Sequence, residues 1–261
     1  MVDYSKDNRM PLVSVVMPSY NKKRFVEETI HSVAGQTYPN WELIIVDDCS
    51  TDGTYECLQR LAAADSRIRL YRNEENLGAA KTRNRCLDLA SGDYVALLDS
   101  DDLWLPEKLE RQMLVAKETA ADIIYCSYSI IGESGEQVCP DFIVPESTSF
   151  EAFLTRSVIS CSTAVLTREV AEKYRFDPGY YHEDLALWFQ MLQDGCTARG
   201  DRAVLAQYRM AEGAKSANKI KTAMFRWDIY RNMLGFSVWK SGCLLADYAF
   251  RGILKYRRSG G

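Results

Sequence analysis

The chain has 261 residues, 47% of them hydrophobic and 26% charged, enough apolar material for one large α/β domain and too much for a disordered chain. A formal net charge of -4 does not point to nucleic acid, and no nucleic acid is expected as a partner. Eight cysteines lie scattered with no CxxC pair and no Cys/His cluster, so a zinc site is not expected and a reducing, cytoplasmic setting is the simpler reading.

The first ten residues, MVDYSKDNRM, are polar, and no secretory leader is expected from them. A buried strand is predicted over 13–17. It is followed by a helix in RFVEETIHSVAGQ, where Phe25, Ile30 and Val33 fall near helical spacing. A strand over 43–46, a helix over 54–64 and a strand over 68–71 come next. A helix from about 78 to 90 and a strand over 94–98 complete the βα rhythm. Strands alternating with helices predict a parallel sheet with right-handed crossovers. Pro106 then starts a helix in PEKLERQMLVAKE, and 123–131 reads as a strand. Beyond it the rhythm loosens. Turn and extended character over 132–149 precedes a short helix over 150–156, a strand over 162–166 and a helix over 168–174. A stronger helix over 184–193 and a strand over 203–209 follow.

Three apolar strands end in polar signatures, VVMPSYN, LIIVDDCSTDGT and YVALLDSDD. In an open parallel sheet ligands bind beyond the carboxyl ends of the strands, so Pro18, Tyr20, Asn21, Asp47, Asp48, Asp52, Asp99 and Asp101 are expected to converge. DDCSTDGT alone reads equally as an Asx turn with a helix cap; the coincidence of three such ends makes the site. Asp99, Asp101 and Asp102 repel one another at the end of a buried strand. A hard divalent cation that also binds phosphate oxygens is the simplest counter-charge. In NLGAAKTRNR, the positive end of a helix and the cations Lys81, Arg83 and Arg85 favour a phosphate. A solvated basic face is the other reading, and for Lys81 and Arg85 both stay open.

The series PLVSVVMPSYN, VDDCSTDGT, NLGAAKTRN and GDYVALLDSDD resembles the family 2 glycosyltransferases of GT-A fold over about residues 11–214, in particular those of bacterial surface-polysaccharide synthesis. The resemblance implies a Rossmann-like, mainly parallel central sheet flanked by helices, a UDP-sugar donor, and Mg²⁺ or Mn²⁺. Carried over by position, Pro18, Tyr20, Asn21 and Asp48 hold the nucleoside, with Tyr20 on the base and Asp48 accepting its ring N–H. Arg83 contacts the nucleotide side of the pocket. Asp99 and Ser100 lie near the ribose, and Asp101, with Asp99, is the metal ligand. HEDLALWFQML resembles the acidic motif of the acceptor side. It implies Asp184 as catalytic base, with Glu183, His182 and Trp188 as further candidates toward the acceptor, although Trp188 reads more readily as core. The family often carries a His just after the strand-end pair Tyr208-Arg209. Here Met210 and Ala211 stand there, so no metal-binding His is expected from that loop.

Residues 1–105 are thus expected to form a nucleotide-sugar half and 106–214 an acceptor half of the same domain. Residues 215–261 form a basic tail of amphipathic helices, with ten Lys/Arg against Asp228 and Asp247. Mixed with Trp and Tyr, that charge suggests a helix lying in an anionic membrane interface; two helices packed on the body are the alternative. The resemblance implies a polyprenyl-diphosphate-linked saccharide as acceptor and a place on the inner face of the cytoplasmic membrane. A non-catalytic sugar-nucleotide-binding protein is a second reading. A nucleotidyltransferase is a third, disfavoured because PSYNKKRF lacks the Gly-rich loop expected after the first strand.

Overall fold

The computed structural model describes residues 9–210 and 219–257, the side chains of 219–221 and 250–257 being outside that description. Ala211 and the outermost parts of the tail, 215–218 and 258–261, therefore lie outside the described residues.

The leading βα repeat forms as read. Strand β1 (Val13–Ser19), helix α1 (Val26–Ala34), β2 (Trp41–Asp47), α2 (Thr54–Ala64), β3 (Ile68–Arg72), α3 (Ala79–Leu89) and β4 (Tyr94–Leu97) follow in order. β1 pairs in parallel with β2 and β4, and β2 with β3. The strands are continuously apolar because both sheet faces are covered. Val16, Ile44, Val46, Val95 and Leu97 join one core, while Val15, Met17, Leu43, Ile45 and Ala96 join the other. Period-two alternation sends neighbouring side chains of one strand into different cores.

The remaining elements are β5 (Leu103–Trp104), α4 (Lys108–Thr119), β6 (Ile123–Ile131), β7 (Gln137–Phe142), β8 (Ser147–Thr148) and α5 (Phe150–Thr155). They continue with β9 (Val165–Thr167), α6 (Arg168–Lys173), α7 (Glu183–Gln193), β10 (Ala198–Arg209), α8 (Lys219–Asp228) and α9 (Val238–Arg257). All ten strands share one sheet in the order β3-β2-β1-β4-β9-β6-β10-β5, with β7 on β6 and β8 on β10. The expectation of parallel pairing fails at β9, which runs antiparallel to both β4 and β6. The strand predicted over 162–166 is a 3-10 turn, Cys161–Thr163, followed by three strand residues. The last strand starts five residues earlier than predicted and carries register shifts between Asp201 and Ala206, which break its alternation.

One topological detail places the site. β4 and β5 are consecutive in the chain but separated in the sheet by β9, β6 and β10. The intervening residues, 98–102, must therefore cross the ends of those strands, and this crossing carries the three aspartates. The first part of the tail packs on the body: Phe225, Ile229, Tyr230 and Leu234 are buried in the core that also holds Phe153 and Phe189.

Candidate active site

The loops after β1 and β2 are bonded to each other. Asn21, at φ 50°, gives its N–H to Ser50 Oγ (3.0 Å) and takes the N–H of Thr51 on its Oδ1 (2.9 Å). The Lys22 N–H donates to Thr54 Oγ1 (2.8 Å). Pro18 is buried at the end of β1, whereas Tyr20 is 45% exposed, a ring open to an incoming planar group.

Asp48 is buried, and its carboxylate takes three hydrogen bonds: from Asn73 Nδ2 (2.6 Å), Leu77 N (2.8 Å) and Gly78 N (2.8 Å). It thus holds the turn that opens α3, where Gly78 sits at φ 83°. A carboxylate offers about four acceptor positions, so room for one more donor remains. Asn73, itself braced by Thr82 Oγ1 (3.0 Å), has no signature in the sequence. Asp47 is fully buried and caps the Ser50 N–H (3.0 Å), while Asp52 caps Thr54 at the start of α2; both serve the turn. Arg85 is a brace, bonded to Arg72 O and Asn73 Oδ1, and Lys81 is exposed.

The three acids of the crossing segment part company. Asp102 is buried and turned away: it accepts from Ser162 Oγ (2.5 Å) and from the Arg209 N–H (2.8 Å). Burial, with Asp101 and Asp99 adding to it, pushes its carboxyl well above the usual range. The expectation that Asp102 shares a cation is thereby corrected, because its oxygens are spent on joining the crossing segment to the 3-10 turn before β9 and to the end of β10. Asp99 and Asp101 remain. Asp101 is 17% exposed at its side chain and pairs with Lys22 Nζ at 2.5 Å. Burial and the neighbouring Asp99 raise its carboxyl above the ordinary range despite Lys22. Ser100 is buried, and its carbonyl accepts from Thr29 Oγ1 (3.2 Å). Arg209 fixes the backbone from the far side, its guanidinium reaching Asp101 O (2.9 Å), Glu133 O (3.1 Å) and Glu28 Oε2 (2.7 Å).

Arg83 bridges two segments distant in sequence. It is 5% exposed and donates to Asp99 Oδ1 (2.7 Å) and to Glu183 Oε1 (3.1 Å). Its guanidinium therefore lies between the carboxylates of Asp99 and Glu183. Glu183 and Asp184 open α7 where the helix dipole favours anions. Asp184 is half-buried and accepts from the Leu185 N–H (2.8 Å). Burial is the main cause that raises its carboxyl to about 6; Glu183 and Asp99 add to it and Arg83 opposes it. His182 packs against Tyr181 and Phe225, with ring centroids 5.0 and 5.2 Å away. Trp188 is fully buried in the core, which corrects its place as an acceptor candidate. His31 is exposed on α1.

Among the described residues no group of three or more His, Cys, Asp or Glu side chains could hold a metal. What the crossing segment offers is two partly exposed carboxylates, Asp99 and Asp101. Mg²⁺ and ions like it bind in just that way when substrate phosphates complete the shell. The donor set fits a cation that arrives with a diphosphate. Lys22, unnoticed in the sequence although it follows SYN directly, meets the charge of Asp101 meanwhile.

The glycosyl transferase family 2 model matches residues 14–175. One relative, the UDP-Glc:alpha-D-GlcNAc-diphosphoundecaprenol beta-1,3-glucosyltransferase WfgD of Escherichia coli, is 37% identical over 219 residues, covering 84% of this chain and 85% of that one. Among solved structures, S. aureus TarS 1-349 in complex with UDP-GlcNAc superposes with a TM-score of 0.70 at 20% identity, over 91% of this chain and 71% of that one. The mannosyltransferase PcManGT of Pyrobaculum calidifontis, in complex with GDP-Man and Mn2+, gives 0.70 at 20% identity, over 93% and 70%. These two likenesses show the fold: a mixed, mostly parallel sheet flanked by helices, of GT-A type.

Proposed function

The chain belongs to glycosyl transferase family 2, and from that premise we propose that it transfers a hexose, with inversion, from a UDP-sugar to a saccharide carried on a polyprenyl diphosphate during synthesis of a bacterial surface polysaccharide. The observation that carries this reading is the buried Arg83, which holds Asp99 on one side and Glu183, the neighbour of Asp184, on the other. The relative WfgD, by its name, uses UDP-Glc and a diphosphoundecaprenol-linked acceptor, and glucose is the first donor sugar to test.

In the proposed site Tyr20 stacks on the uracil and Asp48 takes its ring N–H with its remaining acceptor position. Pro18 and Asn21 shape the pocket floor, and Ser100 holds the backbone beside the ribose. Asp101 and Asp99 would hold a cation, Mg²⁺ or Mn²⁺, which would supply positive charge beside the diphosphate. PcManGT, for its part, was solved with Mn2+. Asp184 takes the proton of the acceptor hydroxyl as its oxygen bonds to the anomeric carbon and the bond to the UDP oxygen breaks on the opposite face. The products are the extended saccharide and UDP, and the proton passes from Asp184 to water. A carboxyl held near 6 is ionised at neutral pH yet basic enough for the task. Glu183, held by Arg83, orients the start of α7, and His182 flanks the acceptor side.

The tail is proposed to touch the inner face of the cytoplasmic membrane. Trp239 (82%), Met224 (67%) and Val238 (61%) are exposed and apolar, beside Lys240, in a segment with a basic excess. No helix among the described residues is long and apolar enough to cross a bilayer.

The test is a donor screen scored by UDP release with a short-chain lipid-diphosphate-linked GlcNAc acceptor. Acceptor-dependent release from one UDP-hexose supports the reading. Equal, slow release with and without acceptor overturns it in favour of a binding protein.

A further inference from the structure

The tail helix α8 touches the acceptor-side motif directly. Phe225 is 8% exposed, and its ring meets Tyr180 at 6.0 Å, Tyr181 at 6.2 Å and His182 at 5.2 Å between centroids, each edge to face. These three residues lead into Glu183 and Asp184. His182 is the N-cap residue of α7. Its neighbour Glu183 is held on the other side by Arg83. The short motif is thus gripped from two directions, by a guanidinium in the body and by an aromatic ring in the tail.

The register of that ring is set next door. Arg226 is 1% exposed and donates to Leu154 O (3.0 Å), to Tyr230 Oη (3.0 Å) and to Ser157 Oγ. Tyr230 in turn donates to Leu154 O. Leu154 O, in the last turn of α5, and Ser157 Oγ, just beyond it, thus anchor α8 with Phe225 toward His182.

We propose that Phe225 is a positioning residue: the tail helix holds the 180–184 segment so that the Asp184 carboxylate faces the acceptor hydroxyl, and the catalytic centre is incomplete without it. This rests on the reading of Asp184 as the base. A helix lying across the start of α7 restricts where that start can move, and small misplacements of a base cost rate far more than they cost binding. Phe225 touches none of the residues assigned to the donor, so its effect is confined to turnover.

The experiment compares the full-length protein with its Phe225→Ala, Phe225→Leu and Phe225→Tyr variants, and with Glu118→Ala, exposed near the end of α4, as the control. Steady-state transfer and UDP affinity by calorimetry are measured for each. The expected result is a fall in kcat of about 10- to 100-fold for Phe225→Ala with UDP affinity and donor KM within about twofold, recovery in Phe225→Tyr, and an intermediate Phe225→Leu. Glu118→Ala matches the parent. If kcat is unchanged in Phe225→Ala, or if kcat and UDP affinity fall together in Phe225→Leu, which keeps the apolar volume, the positioning role is overturned. Asp184→Asn is run in parallel. Full activity there removes the base assignment itself, whereas a dead Asp184→Asn beside an active Phe225→Ala removes only the role of the tail.

Discussion

Replacing Asp184 by asparagine should stop turnover and strengthen the fold in the same stroke. Burial, joined by Glu183 and Asp99 and opposed by Arg83, holds the Asp184 carboxyl at about 6 in the folded chain, against an ordinary 3.8. At about 1.36 kcal/mol per unit, that gap is worth up to about 3 kcal/mol, an upper bound because the side chain is partly open to water. The folded chain binds this proton more tightly than the unfolded chain. Stability therefore falls as the pH rises from about 4 to about 6 and stays lower above that. Asparagine has no proton to lose. Its advantage in unfolding free energy should grow from about 0.5 kcal/mol near pH 4 to at most about 3 kcal/mol near pH 8. Urea unfolding followed by tryptophan fluorescence across that range measures it. In the same samples kcat should drop by about 10² to 10⁴, with UDP affinity kept, while the parent's rate climbs with pH through about 6. An advantage that does not change with pH, together with turnover near the parent's, would refute the burial-raised base.

Three further outcomes follow from contacts around the cleft. Arg83→Met leaves Asp99 and Glu183 facing each other without their shared guanidinium, and it should cost about 3 kcal/mol in urea unfolding and move the acid limb of the rate profile to higher pH; an unchanged midpoint and profile would count against the bridge. Asp48→Ala strands the Leu77 and Gly78 N–H groups and Asn73 Nδ2, so a loss of about 3 kcal/mol of stability should accompany weaker UDP binding; weaker binding with no loss of stability would mean that the α3 turn does not depend on it. Asp101→Asn should make UDP affinity insensitive to EDTA and depress transfer in Mg²⁺ or Mn²⁺ by at least about 100-fold, whereas full activity in EDTA for the parent would remove the metal assignment.

The strand-end aspartates and the leading βα units were legible because their signals are local: a continuous apolar run, then acids, then a helix start. Asp48 stood out for that reason, whereas Asp184, which opens α7, was pointed to only by the resemblance of HEDLALWFQML. The reversed strand β9 was not legible. It is three residues long, and antiparallel pairing with β4 and β6 is decided by the space between two distant strands rather than by its own VLT. The same holds for Asp102, whose sequence neighbours make it look like a third ligand. Only Ser162 and Arg209, 60 and 107 residues away, show that it is a clasp. The partners of Arg83 were not legible either, because the carboxylates it bonds lie 16 and 100 residues downstream. Phe225 carried no signal, because an aromatic in a basic amphipathic stretch reads the same whether it meets lipid or protein.

The crossing from β4 to β5 bears on how relatives of this chain can be recombined. β5 follows the donor-side strands directly in sequence yet forms the far edge of the sheet, hydrogen-bonded to β10. A chimera spliced near residue 105, taking donor recognition from one parent and acceptor recognition from another, would place an edge strand from the first parent against a foreign neighbour. It would also ask a foreign serine and arginine to greet Asp102. Altered acceptor choice is better sought by exchanging 177–184 together with α8, pieces that meet each other and leave the interleaved sheet whole.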